Sequence, residues 1–270
     1  MQHFAKKRFG QNFLVDTSVI NLIVDSIQPH ADDIMIEIGP GLGAITKPLL
    51  TRLNNLNVIE LDRDIIPKLV NNCVFADINN KQKLHVNEAD VLKFNFADFY
   101  TQHNSDSLTE KKLRIVGNLP YNISTPVLFH LLNYRHLIED MHFMLQKEVV
   151  DRIVASPGNK HYGRLSVMLQ TYCNTQALFQ VPPYAFEPAP KVDSAILRLQ
   201  PKEQYKDKIN DFTQYESLVR DAFSQRRKTL KNTLKNTCTV EQIESADLSP
   251  SQRAEELSIN DFVNLYNSIH

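Results

Sequence analysis

A chain of 270 residues, 42% hydrophobic and 23% charged, has the composition of an ordinary globular protein with room for one large core or two domains. No apolar run approaches the ~20 residues that span a bilayer, and Lys6, Lys7 and Arg8 are not followed by the apolar stretch of a secretory leader, so a cytoplasmic protein without membrane contact is expected. Cys73, Cys173 and Cys238 are odd in number and far apart, which excludes a disulfide framework or a cysteine metal centre and leaves three reduced thiols and no metal. The net charge of −1 conceals a local excess, because residues 220–235 hold six Lys/Arg against one Asp. A basic stretch on a neutral chain suits an anionic partner met on one face.

Residues 1–16 read as an arm. Asp16-Thr17 opens a helix whose Val19, Ile20, Ile23, Val24 and Ile27 share one face. Residues 34–38 form a short apolar run broken only by Glu37, as in a parallel strand covered on both sides. Gly39, Gly41 and Gly43 follow at once, giving a tight turn whose bare backbone a ligand can approach. Apolar residues at helical spacing over 44–53 complete a strand, glycine loop and helix. Residues 56–61 are a second strand with Glu60 near its end. A helix is predicted over 64–72, where Pro67 fits only a first turn. A strand at 84–86 leads toward Asp90, residues 101–112 read as a polar surface loop, and a strand at 113–116 runs into Gly117-Asn118-Leu119-Pro120-Tyr121. Ser124-Thr125-Pro126 starts a helix; a strand at 141–145, helices at 147–155 and 164–172, and strands at 178–181 and 194–199 around a proline-rich loop complete this part.

Strands alternating with helices imply right-handed crossovers and a parallel sheet, the α/β class, with a ligand site outside the carboxyl ends of the strands. Gly39, Glu60, Asp90 and Asn118 each fall at or just after such an end. Beyond Pro201 the strand pattern stops, and helices are predicted over 213–236, 240–246, 250–257 and 259–269. The expected organisation is a sheet domain over 1–200 and a small all-helical domain over 201–270. On a helical wheel Arg220, Arg227, Lys228, Lys231 and Lys235 share one face, while Arg226 falls toward the apolar side. Either the helix breaks near Ser224-Gln225 or Arg226 has a buried partner.

The glycine pattern is G-x-G-x-G, not the G-x-G-x-x-G of dinucleotide folds, and Glu37 just before it is a poor neighbour for a pyrophosphate. S-adenosyl-L-methionine carries no phosphate; its sulfonium and ammonium favour nearby carboxylates. Glu60, about twenty residues past the first glycine, stands where a carboxylate meets a ribose. Asn118-Leu119-Pro120-Tyr121 suits the holding of an exocyclic amine on a stacked base. Asn118 Oδ1 and the Leu119 carbonyl can accept its two hydrogens, Tyr121 offers a ring face, and Pro120 stiffens the turn. A strand-end turn with a buried Tyr is the plainer alternative.

These motifs resemble the KsgA family, the small-subunit ribosomal RNA adenine N6,N6-dimethyltransferases, on a Rossmann-like sheet. The matching stretches are Arg8-Phe9-Gly10-Gln11-Asn12-Phe13-Leu14, Glu37-Ile38-Gly39-Pro40-Gly41-Leu42-Gly43, Asn118-Leu119-Pro120-Tyr121, Met144-Leu145-Gln146-Lys147-Glu148-Val149, Tyr162-Gly163-Arg164-Leu165-Ser166, Phe186-x-Pro188-x-Pro190-Lys191-Val192-Asp193-Ser194 and Phe223-Ser224-Gln225-Arg226-Arg227-Lys228-Thr229-Leu230. The resemblance implies that Asn12 and Leu14 close over the methionine end of the cofactor, Gly39 gives it backbone, Glu60 takes its ribose hydroxyls, Asp90 its adenine amine, and Asn118 touches cofactor and target. It puts Phe186 over the target base opposite Tyr121, and Arg226, Arg227, Lys228 and Lys231 on RNA phosphate. The implied reaction is dimethylation of two adjacent adenosines in a hairpin loop near the 3′ end of 16S rRNA, in the small (30S) subunit or its precursor; a monomer is expected. Rival readings are the related enzymes that modify large-subunit rRNA, a ribosome-assembly or transcription factor that has kept the fold without the activity, and a nicotinamide oxidoreductase, against which the missing G-x-G-x-x-G and the Asn118–Tyr121 motif count.

Overall fold

The computed structural model describes residues 12–105 and 110–270. The Arg8–Gln11 part of the first motif and the Lys6–Arg8 charges lie outside the described residues. Two compact units are present: one comprises residues up to Lys147 together with Gln176–Pro201, and the other Glu148–Thr175 together with Lys202–His270. The chain therefore crosses between units three times, not once after residue 200.

The first unit is built on a sheet. In chain order its elements are β1 (Phe13–Leu14), α1 (Thr17–Ile27), β2 (Ile34–Ile38), α2 (Thr46–Leu50), β3 (Leu56–Glu60), α3 (Ile66–Ala76), α4 (Asn80–Lys83), β4 (Leu84–Glu88), α5 (Phe96–Asn104), β5 (Leu113–Asn118), α6 (Ser124–Leu132) and β6 (Ile138–Gln146). After α7 (Lys147–Ile153) and α8 (Arg164–Tyr172) come β7 (Cys173–Val181), β8 (Phe186–Glu187) and β9 (Ser194–Pro201). Seven strands form one sheet in the order β4-β3-β2-β5-β6-β9-β7. β4, β3, β2, β5 and β6 run parallel to one another and β9 is antiparallel to β6. This is the α/β sheet expected from the alternation of elements, and the Rossmann-like one that the resemblance implies.

Local chemistry explains the elements. Asp16 caps α1 by accepting from the N–H groups of Ser18 and Val19, at 2.9 and 3.1 Å. Ile23, Val24 and Ile27 bury its inner face. α2 is shorter than the apolar pattern over 44–53 suggests, because Pro48 lacks an N–H and must lie in a first turn, which starts the helix at Thr46. Residues 101–104, expected as loop, are the end of α5. Asn95 caps that helix through Ala97 and Asp98, and Phe96 and Phe99 bury its inner side. The three cysteines are free, with Cys73 and Cys173 buried.

Two features fix the strands that matter most. Arg114 on β5 donates twice to Asp140 on β6 (2.8 and 2.9 Å), once to Asp33 (2.7 Å), and to the carbonyls of Ile27 and Gln28 at the end of α1. Removing one partner of such a buried cluster costs about 3–5 kcal/mol. At the other end of β5, Gly117 pairs with Ile38 of β2. A Cβ on Gly117 would stand 2.5 Å from the Ile38 carbonyl oxygen, so only glycine admits this approach. The approach sets Asn118 directly beside the turn that begins at Gly39.

The second unit is helical. It holds α8 and nearly all of α7 together with α9 (Phe212–Ala222), α10 (Leu230–Thr233), α11 (Val240–Ser245) and α12 (Ile259–Ile269). Its core is aromatic: the Tyr215 ring meets Tyr266 edge-on at 5.7 Å, Phe223 stacks on Phe262 at 5.7 Å, and the Tyr215 hydroxyl bonds Thr171 at 2.9 Å. The helix expected over 213–236 is broken. α9 stops at Ala222, and the chain turns so that Phe223 reaches Phe262 and Leu230 is fully buried, which one straight helix does not achieve here.

Candidate active site

The carboxyl ends of β2, β3 and β5 lie side by side, with Ile38 opposite Ile59 on one flank and Gly117 on the other. Beyond them opens a cavity of about 780 Å³, lined among others by Asn12, Leu14, Gly39, Glu60, Asp90, Asn118, Leu119 and Tyr121. That is the size range of small-molecule sites. Every residue that the sequence assigned to cofactor binding lies on this wall.

Gly39 and Gly41 have φ of +65° and +56°, the left-handed region that glycine enters without strain. The Gly39 N–H is already given to the Ile59 carbonyl at 3.0 Å, which leaves its carbonyl as the backbone group for a ligand. A Cβ on Gly41 would be 3.3 Å from the Phe13 ring, so β1 lies close over the glycine turn. Glu60 is 9% exposed. Its carboxylate accepts from the backbone N–H of Asp62 at 2.8 Å and is also held by those of Leu61 and Gly41. Burial pushes its pKa up and these donors oppose the rise. Asp90 both lines the cavity and caps the short turn that follows it, accepting from Leu92 N–H at 3.0 Å through Oδ1.

Asn118 Nδ2 donates to the Asn12 carbonyl at 3.2 Å. This fixes the amide plane and leaves Oδ1 as its acceptor. The Leu119 N–H is held by the Met144 carbonyl at 3.2 Å, and its side chain is buried. The Tyr121 hydroxyl bonds Ser194 Oγ at 2.8 Å.

Two expectations are corrected. Phe186 is 4% exposed and belongs to the apolar cluster that holds Leu14, Met144, Val181, Ala185 and Ile196; it is not on the cavity wall. The pairing of β8 with β1 sets Phe186 opposite Leu14, and Phe186 packs into that apolar cluster. The exposed ring of that loop is Tyr184, at 75%. Arg226 does not present a free charge. Its guanidinium donates to Glu255 at 3.0 Å and to the Lys160 carbonyl, so it clamps the 156–163 loop within the helical unit. Arg227, Lys228 and Lys231 are exposed and have no ion pair among the described residues.

Sequence reasoning missed two wall residues. Phe13 sits inside a quoted motif, but its contact with Gly41 depends on a two-residue strand that has no periodicity to detect. Glu37 entered the sequence reading as a carboxylate that disfavours phosphate and suits a cation, without a place among the cofactor-binding residues. In the structure it is 2% exposed, lines the cavity, and accepts from Thr46 Oγ1 at 2.7 Å. Burial pushes its pKa to about 7; the Thr46 bond works against the rise and the nearby Glu60 charge adds to it.

The charged side chains on the wall are thus Glu37, Glu60 and Asp90 against Lys47. A wall with an acidic excess repels phosphate and fits a cation, which is the charge of a sulfonium. This sheet, glycine turn and acidic cavity define the class: an S-adenosylmethionine-dependent methyltransferase. The family model described as ribosomal RNA adenine dimethylase matches residues 2–270. A ribosomal RNA small subunit methyltransferase A from Saccharophagus degradans is 51% identical over 267 residues, 99% of this chain and 95% of its own. One of the same name from Chromobacterium violaceum is 50% identical over 269 residues, covering 100% and 97%. The crystal structure of a dimethyladenosine transferase from Plasmodium falciparum superposes with a TM-score of 0.77 at 26% identity, covering 94% of this chain and 95% of that one. The chain belongs to the ribosomal RNA adenine dimethylase family.

The state of Glu37 leads to a pH dependence. Below about pH 7 the free site holds this carboxyl protonated. A cationic ligand selects the ionised form, so binding there expels a proton and affinity rises with pH until the free carboxyl is ionised. Calorimetry between pH 6 and 7.5 should show S-adenosylmethionine binding tighten by up to about eightfold. The Glu37→Gln variant should bind more weakly at pH 7.5 and lose most of this slope.

Proposed function

We infer that the protein binds S-adenosylmethionine in this cavity and dimethylates N6 of two adjacent adenosines in a hairpin loop near the 3′ end of 16S rRNA. The RNA is met within the small (30S) subunit or a precursor of it, by a cytoplasmic monomer. The names of the curated relatives support the small-subunit target, and family membership supports the adenine dimethylase chemistry. Among the described residues no helix is long and apolar enough to cross a membrane.

The observation that carries the mechanism is the Asn118 amide. An adenine amine is a poor nucleophile because its lone pair is delocalised into the ring. With Nδ2 tied to the Asn12 carbonyl, Asn118 Oδ1 faces a target as an acceptor. The Leu119 carbonyl, on a backbone fixed by Met144, is the second acceptor. Two acceptors on the two amine hydrogens draw the nitrogen toward tetrahedral geometry and free its lone pair. Tyr121 offers the ring face that recovers part of the cost of unstacking the base, about 1–3 kcal/mol per stacked base. Glu60 would hold the cofactor's ribose hydroxyls, Asp90 its adenine amine, and Asn12, Leu14, Gly39 and Glu37 its methionine end. When bound, that cofactor supplies an electrophilic methyl group on a cationic sulfur. The nitrogen's proton becomes acidic only once alkylation has begun, so no strong base is required of the protein.

Asn118→Ala should lower the rate of methylation by about 10²–10³ in single turnover at saturating cofactor and RNA, the loss typical of one aligned polar group. A rate within tenfold of wild type would remove the amine-aligning role.

Arg227, Lys228 and Lys231 are proposed to meet RNA phosphate. Replacing all three by Ala should leave cofactor affinity and melting temperature nearly unchanged, since exposed charges contribute little to stability. Subunit binding should weaken, and the slope of log K against log salt should become shallower by about 2, at ~0.7 per lost contact. An unchanged slope would assign this face to solvent.

A further inference from the structure

We propose that Ser194 is a positioning residue for methyl transfer, fixing the plane of the Tyr121 ring through the bond between their hydroxyls. The proposal rests on the reading that Tyr121 provides the stacking face for the target adenine.

Ser194 is the first residue of β9 and is fully buried. It lies at the end of the β6–β9 ladder, opposite Gln146, and the preceding residue, Asp193, accepts the Lys147 N–H at 2.9 Å through its carbonyl. Its backbone is therefore held on both sides. β6 in turn pairs with β5 through Met144 opposite Asn118, and the Met144 carbonyl takes the Leu119 N–H. The sheet thus carries Ser194 and the Asn118-Leu119 acceptors as one rigid edge.

Tyr121 stands on the turn just beyond that edge, where no ladder holds it. It is tied at two points. Its carbonyl accepts from Ser124 Oγ at 3.2 Å, and its phenol meets Ser194 Oγ at 2.8 Å. The first tie sets the backbone and the second sets the far end of the ring, so little freedom is left at χ1 and χ2. Burial raises the Tyr121 pKa and the Ser194 bond offsets part of that rise, so the phenol stays protonated and can serve as donor or acceptor in the pair.

The tie matters because of what else lines the cavity. Phe186 is turned into the core, and the Phe13 ring is packed over Gly41. Tyr121 is then the ring beside the Asn118 and Leu119 acceptors. A base lying on it takes the tilt of its plane, and that tilt aims the amine. Near-attack geometry is sensitive to displacements of an ångström or less. A swinging ring would still bind RNA and would leave the cofactor end untouched, so the loss should fall on kcat.

The test is a double-mutant cycle on Ser194→Ala and Tyr121→Phe, using the full chain, S-adenosylmethionine and unmodified small subunits. Each single change removes the same bond from one side, so if Ser194→Ala folds poorly, Tyr121→Phe still reports on it. We expect each to lower kcat about tenfold with KM for the subunit and cofactor Kd within twofold, and the double variant to be no slower than either single one. Additive losses, a loss confined to KM, or a wild-type rate in Tyr121→Phe would overturn the proposal. Tyr121→Ala separates it from the reading beneath it. If that variant methylates at the wild-type rate, the stacking role fails and the positioning role with it. If it is crippled while Tyr121→Phe is not, the stacking role stands and Ser194 merely packs.

Discussion

The cavity depends on one buried carboxylate. Glu60 ends β3, yet its side chain gathers N–H groups from Leu61 and Asp62 just after it and from Gly41 on the turn after β2. It therefore ties two strand ends together. The turn is held from below by the Gly39 N–H on the Ile59 carbonyl and from the side by Asn72 on the Leu42 carbonyl. The carboxylate adds a tie at Gly41, and its three backbone donors offset part of the desolvation of its charge. Across β2, the close approach of Gly117 to Ile38 brings the third strand end into register. The glycine turn, the acidic wall and the Asn118 amide converge because these two constraints flank the same strand.

The arrangement divides work by chemical type within the sheet unit. Carboxylates on the β2 and β3 side fit a cationic ligand, and neutral acceptors on the β5 side fit an amine. An amide oxygen and a backbone carbonyl draw on the amine hydrogens without taking a proton.

Much of this was legible in the sequence, for definite reasons. The β2 and β3 runs are apolar on both faces, so strand, turn and following acid can be read by eye, and the positions of Gly39, Glu60, Asp90 and Asn118 relative to strand ends follow. What was not legible depends on contacts distant in sequence. β1 and β8 have two residues each and carry no period, so the burial of Phe186 against Leu14 could not be foreseen from a proline-rich loop. The run over 213–236 has good helical spacing, but packing of Phe223 on Phe262 and pairing of Arg226 with Glu255 override it. The break had been anticipated as one of two outcomes for Arg226, whose charge sat on the wrong side of the wheel. α5 was lost to the polar residues 101–104, although its Asn95 cap stands in plain view.

The proposed task of this cavity is to serve the N6 atoms of adenines in small-subunit rRNA. The most direct measurement incubates the protein with methyl-labelled S-adenosylmethionine and small subunits lacking the modification, then digests the rRNA to nucleosides for mass spectrometry. The label should appear as N6,N6-dimethyladenosine, rising toward two per subunit, with none in large subunits treated alike. Label in large-subunit RNA, in another nucleoside, or in neither subunit would contradict it.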